Sequence, residues 1–429
     1  MTIRATAPAA ARQATAGNAW RWRHLLLAPH RLGFFLAVLV LAASALWWAA
    51  VQGQRAAGGA ALPFALAPTV VHGTVMVFGF IPLFFGGFLF TAGPRWLGLP
   101  GPAAADVAPP LLAQAAGWLL WLAGGAFAPW VAIAGLLCAA AGLGGMGLVF
   151  ASLVRASAAQ DRVHAKAIAV ALLVGTACLA GIAAALLLDR WDVARAFLYS
   201  GLWGFVVAVY VTVAHRMIPF FTSSALPFIE AWRPFWVLQV LLAVCAAEAL
   251  WPWLELSGLA AAPAWRAALA LLECAAGALV LYLAWAWGLA QSVRVRLLGM
   301  LHLGFAWLGP GLAISGLSGL AGLLMDTAVL PLAGMHAITM GCLGSLMLAM
   351  VTRVSCGHSG RALVADDFIW GLFWLLQLAT LLRVASALPH AASGWGLAAA
   401  AALWAGFVTA WGLRMGNWWG RPRADGRPG

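Results

Sequence analysis

Charge is what this sequence has least of. Charged residues make up 8% of its 429 residues, where a soluble domain carries about a quarter. So few polar groups cannot cover the surface of a water-soluble fold. The six cysteines form no C-x-x-C and no C-x-x-C-H pattern, which excludes a zinc ribbon and covalently attached c-type haem. Cys138, Cys178, Cys245, Cys274 and Cys342 lie inside apolar runs, where a thiol serves as a small hydrophobe; Cys356 sits just past one. No polar stretch is long enough for a soluble domain, and no internal repeat is visible. The formal charge of +12 is spread through short segments rather than gathered into a patch, which excludes a nucleic-acid surface.

What is present is apolar. Hydrophobic residues make up 64% of the chain and the mean hydropathy is +0.95. The abundant glycine and tryptophan suit membrane helices, where one permits close backbone approach and the other favours the interface. A membrane helix needs about 20 apolar residues. Runs of that kind predict twelve spans: Arg31–Gln52, Pro68–Pro94, Pro109–Phe127, Pro129–Val154, Ala165–Leu188, Ala194–Pro219, Pro234–Leu254, Ala264–Ala290, Leu297–Leu320, Ala328–Arg353, Phe368–Leu388 and Gly394–Met415. The expected architecture is all-α: a polytopic twelve-helix membrane bundle over residues 31–415, with cytoplasmic tails at 1–30 and 416–429. Residues 1–29 have no apolar core of a cleavable signal peptide, so targeting falls to the first span.

The basic residues support this count. With the N-terminus inside, 19 Lys and Arg fall on the cytoplasmic side, and five fall outside: Arg55, Arg190, Arg195, Arg266 and Arg383. That asymmetry is the positive-inside pattern. The glycines of the fourth span (Gly142, Gly144, Gly145, Gly147) and the small residues of the ninth (Gly311, Ser315, Gly319) read as packing surfaces.

Ionisable groups in a bilayer are costly and tend to be functional. His24, His30, His164 and His390 fall at tails, loops or helix ends and read as interfacial and solvated. His72, about one turn into the second span, and His336, about two turns into the tenth, both enter from outside and lie at similar depth. Two imidazoles at one depth on separate helices are what an axially bis-His haem iron requires, the apolar bundle shielding the macrocycle. The alternative is that each bonds a neighbouring helix. His215, His302 and His358 share the inner side and form a candidate second site for copper, iron or zinc. Arg216 and Arg353 beside them are candidate partners for haem propionates, or else snorkelling anchors. Glu248 and Glu273 are candidates for proton relay or for pairing with arginine. Met76, one turn after His72, reads as core.

The segment from His336 to Arg361, which includes Met340-Gly-Cys-Leu-Gly-Ser and Thr352-Arg-Val-Ser-Cys-Gly-His, closely resembles a signature of the NnrS family. Arg216-Met-Ile-Pro-Phe-Phe-Thr222, Leu301-His-Leu-Gly-Phe-Ala-Trp307, and Gly87-Phe-Leu-Phe-Thr-Ala92 with Trp96 and Gly98 resemble three more, and His30-Arg31 fits as well. The resemblance runs in order along nearly the whole chain. It implies a twelve-helix bacterial inner-membrane protein that carries haem and copper and takes part in the response to nitric oxide and nitrosative stress. Family members read Trp-His-x-His-Glu-Met at the second helix. Here Thr74 and Val75 replace the second His and the Glu, so a ligand or proton donor is missing. The string His72-Gly-Thr-Val-Met, with Pro82 and Gly86-Gly87-Phe88, also resembles the second helix of the haem–copper oxidase catalytic subunit. That resemblance implies a low-spin haem ligated from the second and tenth helices, the places of His72 and His336; the oxidase's copper-site motifs are absent. The expected protein is therefore a haem-binding inner-membrane protein with non-covalent b-type haem and copper as a second metal, and nitric oxide or a quinol as partner. The rivals are a quinol-linked reductase and a transporter or metal-handling protein without redox chemistry.

Overall fold

A computed structural model describes residues 19–59, 64–389 and 392–426; His390 and the tail residues 1–18 lie outside these. Twelve helices among the described residues are long and apolar enough to cross a membrane. They are α1 (Pro29–Ala56), α2 (Pro68–Leu97), α3 (Ala104–Phe127), α4 (Pro129–Ala156), α5 (Val163–Leu187), α6 (Trp191–Ala225), α7 (Phe235–Leu256), α8 (Pro263–Ala286), α9 (Arg296–Met325), α10 (Ala333–His358), α11 (Asp367–Ala385) and α12 (Ser393–Trp419). No strand occurs among the described residues. A bilayer dictates this outcome, because a helix satisfies its own backbone polar groups where no water can. The chain is a multi-pass membrane protein.

Helix ends follow local chemistry. Proline opens α1, α2, α4 and α8, where its missing N–H costs nothing. Gly98 closes α2 with φ 65°, a left-handed conformation that glycine adopts without a Cβ penalty. The start of α10 departs from expectation. Asp326, Leu330 and Leu332 have positive φ, so the preceding loop runs on to Leu332 and the helix begins at Ala333, five residues later than expected. His336 is thus in the first turn of α10 rather than the second.

Two helices carry π-helical stretches, Leu202–Val207 in α6 and Ala337–Gly344 in α10. An extra residue per turn of this kind is frequently found at functional sites. Here one stretch begins directly after His336.

The termini are gathered at one end of the bundle. The helix α12 packs along α1, the Trp20 indole donates to the Gly416 carbonyl (3.0 Å), and His24 Nδ1 lies 2.8 Å from the Gly420 carbonyl. Small residues let helices touch backbone to backbone. A Cβ on Gly117 would lie 2.5 Å from the Gly135 carbonyl oxygen at the α3–α4 crossing, and one on Gly311 would run into Ile338. A Cβ on Gly124 would collide with the backbone nitrogen of Ala132, whereas Gly371 faces open space. Overpacking of this sort costs about 1–3 kcal/mol. Gly124→Ala is therefore expected to lower the thermal unfolding midpoint in detergent, while Gly371→Ala leaves it unchanged or slightly raised.

Candidate haem or metal site

The end of the bundle opposite the termini holds a cavity of about 800 Å³, within the range of cofactor and ligand sites, about 300–1,000 Å³. The first turns of α2, α6 and α10 and the last turns of α1 and α11 meet around it. Both His72 and His336 line it, and they are within electrostatic reach of one another. His72 is the fifth residue of α2 and His336 the fourth of α10, so the two sit at closely matched depth.

Their ring nitrogens are not equivalent. His336 Nδ1 lies 2.9 Å from the Leu332 carbonyl oxygen. A carbonyl can only accept, so Nδ1 carries the proton and Nε2 holds the lone pair, the tautomer that a metal ligand needs. His72 is held differently. Its ring stacks on Trp48 at 3.9 Å and 11°, and its buried Nδ1 has no hydrogen-bond partner. The Arg55 guanidinium in turn lies over Trp48 at 5.6 Å, giving a guanidinium–indole–imidazole stack at the cavity wall.

The cationic residues of this cavity are Arg55, Arg195 and Arg383. They, rather than Arg216 and Arg353, are placed to meet the carboxylates of a cofactor here. Arg216 pairs with Asp161 (3.3 Å) and covers Trp96 at 5.2 Å; Arg353 covers Phe221 at 4.0 Å. Both sit toward the terminal end of the bundle and neither lines the cavity. The sequence did carry a signal for the other three, since they are among the five basic residues that break the positive-inside pattern. Two of the three tyrosines in the chain, Tyr199 and Tyr210, also line the cavity. Met76 joins Met335, Met340 and Met347 on its wall, so the residue that read as core faces the cavity. Thr74 lines it too and donates to the Val70 carbonyl (2.8 Å), whereas Val75 is packed in the core.

At the terminal end, His215, His302 and His358 do not converge. No group of three His, Cys, Asp or Glu placed to hold a metal occurs among the described residues. Each histidine has another partner. His215 Nε2 lies 3.1 Å from the Pro234 carbonyl, so it donates; its Nδ1 then accepts from His164 Nε2 at 2.9 Å. Both nitrogens of His215 are occupied and none is left for a metal. His302 Nε2 meets the Thr222 hydroxyl at 2.8 Å. His358 faces His30, ring centroids 4.6 Å apart. His30 and His164 were expected to be solvated, but they are 3% and 1% exposed. The reason is tertiary: His358 of α10 and the close backbone of Gly87 in α2 lie against His30, and Phe235 of α7 packs on His164 at 5.9 Å. Glu248 and Glu273, on neighbouring α7 and α8, bring their carboxyls together rather than to an arginine. The Thr222–His302 contact is testable. Both residues are fully buried, and an unpaired buried polar group costs about 1–3 kcal/mol. Thr222→Val is expected to lower thermal stability by that amount without emptying the cavity at the other end.

The comparisons with known proteins agree with the motifs. No curated protein matches the chain. The family model described as NnrS protein matches residues 24–423, a stretch that includes all twelve helices, the cavity and the histidine pairs at the terminal end. This multi-pass membrane protein belongs to the NnrS family.

Proposed function

We propose that the protein is a haem-carrying inner-membrane protein of the nitric oxide and nitrosative stress response, with a non-covalent b-type haem in the cavity between α2 and α10. The observation that carries this reading is the pair of imidazoles, His72 and His336, on one cavity at one depth. Family membership supports the physiological setting, and the distribution of Lys and Arg supports an orientation with both termini cytoplasmic. The cavity then opens toward the outer side.

The residues present fit the group. His336, its Nδ1 committed to Leu332, would hold the iron through Nε2. His72 offers the second. Arg55, Arg195 and Arg383 supply guanidinium forks for the two propionates, and the apolar walls exclude water. A haem there supplies redox and gas-binding chemistry, tuned by its axial ligands and by the dielectric of the pocket. The unequal anchoring of the two histidines assigns them different roles. His336 is tied to its own helix by a hydrogen bond, while His72 is positioned only by stacking on Trp48. With haem bound, His72 would be the less firmly held of the two imidazoles and His336 the more firmly held. A quinol is the electron donor whose chemistry suits a membrane-embedded site of this kind.

One observation favours a second reading. Four methionine thioethers share the cavity wall with the two imidazoles, and thioether with imidazole suits copper(I). Metal analysis of purified protein separates the two readings.

Protein expressed with ample haem and purified in mild detergent is expected to show a low-spin haem in reduced-minus-oxidised spectra. His336→Ala is expected to lose the haem. His72→Ala is expected to retain a high-spin, five-coordinate haem, and Arg383→Gln to retain haem more weakly on dilution. A full low-spin spectrum in either histidine variant rules out the ligand pair, and colourless wild-type protein containing copper favours the second reading.

A further inference from the structure

At the terminal end of the bundle a second cluster forms that the haem reading does not use. His30, in the first turn of α1, and His358, the last residue of α10, bring their rings to 4.6 Å. The neighbouring Arg31 is 2% exposed. Its Nη1 donates to the carbonyls of Trp419 (3.2 Å) and Arg421 (2.8 Å), and Arg361 and Arg423 are within electrostatic reach of it. Arg423 donates to the His358 carbonyl at 3.2 Å, and Arg95 approaches His358 from α2. The carboxylate beside them, Asp425, is paired with Arg423 (2.6 Å).

This arrangement concentrates positive charge around a buried core of His30 and Arg31. Four guanidinium groups, on buried Arg31, half-buried Arg361 and Arg423 and exposed Arg95, share one carboxylate, Asp425, which Arg423 already holds through two bonds. Three buried nitrogens in and beside the cluster, His30 Nδ1, Arg361 Nη1 and Arg421 Nε, have no hydrogen-bond partner. Buried cations repel one another and are costly unless paired. A metal cation would meet the same repulsion, so the two facing imidazoles do not mark a metal site. What satisfies both the charge and the unpartnered nitrogens is an anion with several acceptor oxygens.

We infer that His30, His358, Arg31, Arg361 and Arg423 form a binding site for a phosphate group at the membrane surface. The planar fork of arginine matches phosphate oxygens. Basic pockets between membrane helices hold anionic lipid head groups. The depth agrees, since Arg361 lies over the Trp418 ring at 4.4 Å and tryptophan favours the interfacial belt. The phosphate belongs either to an anionic phospholipid or to a free small anion.

The test uses full-length protein, stripped of lipid in mild detergent, with thermal unfolding and native mass spectrometry as readouts. The probes are mixed micelles containing phosphatidylglycerol, micelles containing phosphatidylcholine alone, and inorganic phosphate. Phosphatidylglycerol or inorganic phosphate is expected to raise the unfolding midpoint, and phosphatidylcholine to leave it unchanged. A response to phosphatidylglycerol only identifies a lipid head group; an equal response to inorganic phosphate identifies a free anion. Arg361→Gln and Arg423→Gln are expected to weaken the response at least tenfold, and Arg31→Lys, which keeps the charge but loses the fork, to weaken it partly. Arg294→Gln, on another loop, keeps the full response. No shift with either anion, or a shift that survives both glutamine variants, overturns the assignment.

Discussion

A single hydrogen bond decides what the cavity can do. The Leu332 carbonyl is the acceptor for His336 Nδ1, and that commitment presents Nε2 to the cavity as a lone pair. That carbonyl also accepts the His336 backbone N–H (3.0 Å), because the loop before α10 runs through left-handed residues to Leu332, starting the helix late and placing His336 in its first turn. The π-helical stretch that follows widens the turn on the same wall.

The rest of the bundle fixes the positions of those two helices. Glycine contacts at the α3–α4 crossing and between α9 and α10 bring backbones together, and tight packing transmits position rather than absorbing it. The polar groups that enter the bilayer are grouped by end. Arginines, tyrosines and methionines with His72 and His336 occupy the end away from the termini. Paired histidines and the arginine crown occupy the other. The two ends therefore differ in chemistry: a large cavity lined by two imidazoles at one, paired histidines beside a cluster of arginines at the other.

Much of this was legible in the sequence. Twelve spans followed from hydropathy and the distribution of Lys and Arg, because the bilayer allows a chain this apolar few alternatives. Depth and the family resemblances single out His72 and His336 in the sequence, and the two line one cavity. The partners of the remaining histidines did not, because a hydrogen bond between His164 and His215 depends on which helices meet, and hydropathy is silent on that. His30 reads as solvated from the sequence because the residue whose ring it faces, His358, is more than three hundred positions away. The arginines tell the same story. Arg216 and Arg353 stood out by their neighbours in the chain, whereas Arg55, Arg195 and Arg383 meet only in space. Their presence on the side where basic residues are rare was the one clue.

The central claim is that both imidazoles reach one iron. Electron paramagnetic resonance of the oxidised, haem-loaded protein tests it most directly. A low-spin ferric signal of the bis-imidazole type is expected, converting to a high-spin signal in His72→Ala. A high-spin or thiolate-type signal in the wild-type protein, or a bis-imidazole signal that persists without His72, would contradict it.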